Sequence, residues 1–229
     1  MDSALKPSIS PTIINVLYPF ATYFFLPLYF GRITIKGQEN VPRSGPVIIA
    51  PTHRSRWDAV LVPYATGRLV SGRDLWFMVM SSQMQGFQGW LIQRIGGFAV
   101  DLKRPKAESF AISIELLSKG EMLTIFPEGG IFRSCPVKPL KPGVARIALN
   151  LAEHHPQPGV KILPITLQYN DPYPKWGTDV LINIGIPIDV ANYETNSRKQ
   201  AAKTLTHDLF VALNHLQDKS SYWMEEGVK

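Results

Sequence analysis

V-I-I-A-P-T-H-R-S-R-W-D-A-V-L-V, residues 47–62, is the stretch that decides the fold of this chain. Its opening V-I-I-A is a short apolar run of the kind that forms a strand buried on both faces. The turn behind it is polar, with His53, Arg54, Ser55, Arg56 and Asp58, and an apolar pattern resumes at Ala59 as the start of a helix. A strand feeding a helix through a polar turn is the building unit of an open α/β sheet, whose ligands and catalytic groups gather at strand C-terminal ends. Histidine is the side chain best suited to accept a proton near neutral pH. Asp58 follows His53 after four intervening residues, near enough for its carboxylate to meet one ring nitrogen. Such a contact fixes the tautomer and steadies the imidazolium formed when the other nitrogen is protonated. Arg54 and Arg56 add forked donors for a phosphate or carboxylate.

Outward from this stretch, apolar runs at 32–36, 75–80, 97–101, 121–126, 161–169 and 179–186 read as further strands. Helical patterns lie at 84–95, 105–119, 143–154 and 198–217, the third with Gly143 at its start and an apolar face of Val144, Ile147, Ala148 and Leu151. Strands alternating with helices of this size predict an α/β fold, a largely parallel or mixed sheet flanked by helices. At 229 residues, the chain suits one sizeable core. We divide it into an N-terminal segment, 1–30, and a main domain, 31–229.

Residues 13–30 form the most apolar and aromatic stretch and carry no charge. Their length is at the lower edge of a membrane span, and Pro19 and Pro27 are expected to break or kink a helix there. Tyr18, Tyr23 and Tyr29 suit the water–lipid boundary, with Lys6, Arg32 and Lys36 on the flanks. The expectation is a membrane-associating helix or helical hairpin lying in the interface, with a core-packed helix or a true span as alternatives. A secretory signal is not expected, because no basic leader or small-residue cleavage site frames the stretch. The net charge of +6 favours an anionic partner such as a membrane surface or a phosphorylated substrate. No basic run with interleaved aromatics argues for nucleic acid. The single Cys135 suits a reducing compartment, hence the cytoplasmic face of a membrane.

Four segments follow or end predicted strands and so share one rim of the sheet: T-H-R-S-R-W-D, G-G-F-A-V-D-L-K-R at 96–104, T-I-F-P-E-G-G-I-F-R at 124–133, and I-L-P-I-T-L at 162–167. In their order and spacing the chain closely resembles the glycerolipid acyltransferase family that includes 1-acylglycerol-3-phosphate acyltransferases. His53 and Asp58 match its His-x4-Asp block; Phe126, Pro127, Glu128 and Gly129 match its F-P-E-G block; Leu163, Pro164 and Ile165 match its last strand.

The resemblance implies transfer of an acyl group from acyl-CoA or an acyl-carrier protein to the hydroxyl of a lysophospholipid. His53 is the candidate general base and Asp58 its orienting partner. Glu128 is placed to hold the acceptor hydroxyl while Gly129 lets backbone approach closely, the alternative for Glu128 being a carboxylate that caps nearby amides. The acceptor's phosphate is assigned to Lys103, Arg104 and Arg133, with Arg54 also in the binding set. Here the chain departs from the family pattern, because Leu102 follows Asp101 where Arg is usual and Arg133 comes late after Gly129. Residues 76–98 are candidates for an acyl pocket. Neither metal nor cofactor is expected, and a metal hydrolase lacks paired-histidine spacing here. Other lyso-lipids or glycerol 3-phosphate as acceptor, or an inactive lipid-binding protein, are the competing readings.

Overall fold

The computed structural model describes residues 7–101, 107–133, 136–155, 159–193 and 197–218. Among these residues eight strands form one sheet: β1 (Ile33–Lys36), β2 (Val47–Pro51), β3 (Leu75–Met80), β4 (Gly97–Val100), β5 (Met122–Thr124), β6 (Lys161–Tyr169), β7 (Val180–Ile184) and the short β8 (Ile188–Asp189). The helices are α1 (Pro11–Phe20), α2 (Leu26–Tyr29), α3 (Asp58–Thr66), α4 (Arg68–Ser71), α5 (Gly86–Arg94), α6 (Ala107–Ser118), α7 (Gly143–His154) and α8 (Arg198–Asp218). The sheet order is β1-β7-β6-β2-β5-β3-β4, with β8 paired to β6. From β6 to β4 all neighbours are parallel; β7 and β8 run antiparallel to β6, and β1 runs parallel to β7. The sheet is therefore mixed, with a parallel centre.

Every residue of β2 is buried, as its unbroken apolar run predicts for a strand covered on both faces. Its alternate residues serve two cores. Ile48 and Ala50 join Leu123, Ile162 and the inner faces of α6, α7 and α8; Val47 and Ile49 join Leu163, Ile165 and α3. Full burial of each such aliphatic side chain stabilises the fold by roughly 1.5–3 kcal/mol.

The N-terminal segment is continuously helical from Pro11 to Tyr29. The expected break does not occur, and there is no hairpin. Between α1 and α2 the turn widens at Ala21–Phe25, where the Leu26 N–H reaches back five residues to the Ala21 carbonyl. A wide turn beside Pro27, which has no N–H to donate, lets the chain pass a proline without ending the helix.

Only a narrow stripe of this helix meets the body. Leu26 is fully buried and Ile14 nearly so, whereas Val16, Phe20, Tyr23, Phe24 and Leu28 face outward. Polar contacts fasten the stripe: Arg68 donates to Asn15 Oδ1 at 2.6 Å and makes a forked pair with Asp74 at 2.8 and 2.6 Å. At the far end Tyr29, Phe25 and Phe30 pack on Trp57, with Tyr29 and Trp57 ring centroids 4.5 Å apart. Trp57 immediately precedes Asp58, so the exposed helix rests against the turn that follows β2.

Candidate active site

The polar turn leaves β2 under tight control. The Thr52 N–H bonds to the Ile165 carbonyl and its hydroxyl accepts the Leu167 N–H, which extends the β2–β6 seam one residue past the strand. The chain then wraps around a single carboxylate. Asp58, fully buried at the start of α3, accepts the Arg54 N–H at 2.6 Å and the Ser55 N–H at 2.8 Å on Oδ2. The same oxygen lies 2.8 Å from His53 Nδ1. A carboxylate facing N–H donors is an acceptor, so Nδ1 carries a proton, and in the neutral ring Nε2 is then the nitrogen with the lone pair. The His53 side chain retains 18% exposure, enough for a substrate to reach the ring. Phe126 stacks on the ring with centroids 4.0 Å apart and limits its tilt.

Sequence reasoning missed the second oxygen's partner. Tyr169, at the end of β6, donates its hydroxyl to Asp58 Oδ1 at 2.5 Å. Burial, then the Asp58 charge and this hydrogen bond, push the phenol well above its ordinary range, so it stays a protonated donor. Removing the hydroxyl in Tyr169→Phe leaves a buried carboxylate oxygen without its donor, at an expected cost of about 1.5–3 kcal/mol. Because the folded shift is upward, this contribution is complete below about pH 10 and fades as pH rises through the folded value. Alkaline melting should therefore show a smaller loss in Tyr169→Phe than in wild type, with Tyr18 and Tyr193, also shifted upward, supplying the rest. Equal melting temperatures of the two proteins at neutral pH would show that the contact contributes nothing.

The F-P-E-G turn follows β5, next to β2 in the sheet. Its Glu128 side chain is fully enclosed rather than open at the rim. Arg54 Nη1 donates to Oε1 at 2.8 Å and Oε2 at 3.0 Å; the His53 N–H reaches Oε1 and the Lys138 N–H reaches Oε2, both at 3.2 Å. That is the amide-capping geometry, with a buried ion pair added. Arg54 is likewise buried, donating also to the Phe132 carbonyl and to Gln217 of α8. The placement follows from chain path: the Phe132 N–H bonds to the His53 carbonyl at 2.8 Å, folding the post-β5 loop over Arg54. Gly129 takes a φ of 71°, the left-handed region where a side chain is strained.

Among the expected phosphate ligands, Arg133 is exposed; it lies over the Tyr173 ring at 4.7 Å and donates to the Pro172 carbonyl. Lys103, Arg104 and Cys135 lie outside the described residues. Of the stretch 76–98, Phe98 is core, while Phe77 and Ile95 line a crevice of about 90 Å³ beneath α1 with Leu17, Tyr18, Val60 and Tyr64. Among the described residues no three His, Cys, Asp or Glu side chains gather as a metal-binding group.

Comparison with known proteins puts this arrangement in company. A family model described as Acyltransferase matches residues 32–168. The 1-acyl-sn-glycerol-3-phosphate acyltransferase of Bacillus subtilis is 26% identical over 202 residues, covering 82% of this chain and 90% of that protein. Glycerol-3-phosphate O-acyltransferase 1 of Saccharomyces cerevisiae is 37% identical over 76 residues, 33% of this chain and 10% of that protein. An uncharacterised acyltransferase of Schizosaccharomyces pombe is 24% identical over 181 residues, 71% of this chain. The chain spans only 25% of the length of that last relative. The crystal structure of the 1-acyl-sn-glycerophosphate acyltransferase PlsC from Thermotoga maritima shares the fold, with a TM-score of 0.66, 20% identity, and coverage of 91% of this chain and 80% of that one.

Proposed function

The chain belongs to the acyltransferase family, and from that premise we propose that it moves a fatty acyl group from an acyl thioester to the hydroxyl of a lysophospholipid. The acceptor is 1-acylglycerol 3-phosphate, the product phosphatidic acid, and the setting phospholipid biosynthesis. The donor is acyl-CoA or an acyl-carrier protein. One observation carries the reading: His53 Nδ1 is held by a buried carboxylate 2.8 Å away while the ring stays partly exposed at the C-terminal edge of the parallel strands.

From that geometry the step follows. His53 Nε2 takes the proton from the acceptor hydroxyl as its oxygen attacks the thioester carbonyl carbon. The C–O bond forms, the C–S bond breaks, and the departing thiolate recovers the proton from the imidazolium. Asp58 stabilises that imidazolium and fixes the ring's orientation. No protein nucleophile is required, because the acceptor oxygen attacks directly. Glu128 acts on this step indirectly, by holding the His53 amide and the Arg54 side chain.

Mass spectrometry of lipids formed by purified protein in vesicles, given acyl-CoA or acyl-carrier protein with a panel of acceptors, tests the reading. Phosphatidic acid from 1-acylglycerol 3-phosphate is expected. Acylation of glycerol 3-phosphate instead would favour the acceptor named for the yeast relative, and acylation of no acceptor would sink the enzymatic reading.

The outward face of the N-terminal helix is assigned to the cytoplasmic side of an anionic bilayer, lying in its interface. Deleting residues 1–30 is a poor test, because it also uncovers the packing around Leu26, Phe30 and Trp57. Replacing the exposed Phe20, Phe24 and Leu28 together with serine spares that packing. Half-burial of three such side chains in lipid is worth roughly 3 kcal/mol, so vesicle affinity should fall on the order of 100-fold. Co-sedimentation with anionic vesicles measures it, and unchanged binding removes the helix from the membrane role.

A further inference from the structure

The loop after the F-P-E-G turn returns to it as V-K-P-L-K-P, residues 137–142. Pro139 and Pro142 stiffen this return, and two amides pin it: the Lys138 N–H on Glu128 Oε2, and the Lys141 N–H on the Pro127 carbonyl at 2.8 Å. Lys141 is thereby anchored directly beside the turn. Its side chain runs across the bare face of Gly129, so that a Cβ placed on Gly129 would fall 2.6 Å from Cε, 2.7 Å from Nζ and 2.8 Å from Cδ. The missing side chain at Gly129 is what lets an ammonium group lie over the turn. That same turn supplies Phe126, stacked on the His53 ring, and Glu128, bonded to the His53 amide.

The charge of Lys141 is not consumed locally. It forms no ion pair among the described residues, and its side chain is exposed. Of the other described cations near this turn, Arg56 is exposed as well, whereas Arg54 and Arg133 are committed elsewhere. Arg54 is buried against Glu128, and Arg133 is drawn over Tyr173 and the Pro172 carbonyl. We infer that Lys141 receives the phosphate of the acceptor, an assignment that rests on the acyl-transfer reading above. A compact ammonium on a flexible stem suits a monoester phosphate whose glycerol hydroxyl must also reach His53.

Lys141→Met separates this role from packing, since methionine keeps an unbranched stem over Gly129 and loses only the charge. The measurement is equilibrium binding to His53→Ala protein, which avoids turnover, with 1-acylglycerol 3-phosphate and with the matching monoacylglycerol as ligands. Adding Lys141→Met should weaken the phosphorylated ligand roughly 10–150-fold, leave the monoacylglycerol unchanged, and be partly rescued by Lys141→Arg. Equal affinities for the phosphorylated ligand with and without Lys141→Met, or equal losses for both ligands, would overturn the assignment. Transfer by the otherwise unaltered enzyme is read separately. If no acyl transfer occurs but Lys141 still discriminates the phosphate, the transfer reading fails and the cation stands. If transfer occurs and Lys141 is indifferent, the reverse holds.

Discussion

His53→Ala is expected to lose at least about 10²–10⁴-fold in acyl-transfer rate, the range that a positioned general base supplies. The variant should nevertheless fold. Without the imidazole, Asp58 keeps the Arg54 and Ser55 amides on Oδ2 and the Tyr169 hydroxyl on Oδ1. Turnover and a thermal melt on the same preparation decide the matter. A folded variant that keeps more than about a tenth of the wild-type rate would end the general-base assignment. Asp58→Asn is the harsher companion, because an amide turns one of its ends into a donor among donors. It should lose both activity and melting temperature, and that joint loss distinguishes the two residues.

Breaking the Arg54–Glu128 pair should have the largest effect on stability. Both side chains are essentially enclosed, so Arg54→Met strands a carboxylate in the interior with only the His53 and Lys138 amides. Uncompensated buried charges of this kind typically cost about 3–5 kcal/mol. For a chain of this size that corresponds to a fall in Tm of roughly 6–20 °C. Replacing both partners in Arg54→Met/Glu128→Leu removes the stranded charge and should recover much of the loss, a non-additivity that a double-mutant cycle reads directly. Activity should not recover with it, since Glu128→Leu also takes the acceptor from the His53 amide. An Arg54→Met protein melting within about 2 °C of wild type would mean the pair is dispensable.

Much of the fold is legible in the chain because its elements carry their own stops. β6 spans Lys161–Tyr169 and α7 spans Gly143–His154, as read from an apolar run and from a helical stripe entered at a glycine. β8 escapes notice because two residues carry no periodicity. The reversal of β1 and β7 relative to the centre is equally silent, since strand direction depends on which neighbours meet.

The site divides in the same way. His53 and Asp58 announce each other from within one turn. Asp58 and Tyr169, by contrast, are 111 residues apart in sequence and meet only because β2 and β6 are neighbours. Glu128 reads as a rim carboxylate between a proline and glycines until Arg54, 74 residues earlier, is seen to occupy it. The prolines of the N-terminal helix mislead for a local reason: one widened turn absorbs what a sequence rule counts as a break.

The pairing of β1 with β7 sets the order in which the molecule can be completed. Ile33 aligns with Val180, so an edge strand made early in synthesis waits for one made near the end. Until then its hydrogen-bonding edge stands open, and loop closure over so long a span is slow compared with local helix formation. The same delay governs the chemistry, because Tyr169 emerges long after the turn it secures. A nascent chain therefore displays the His-x4-Asp motif well before the contacts around it are complete, and the outward face of the N-terminal helix stays exposed throughout that interval.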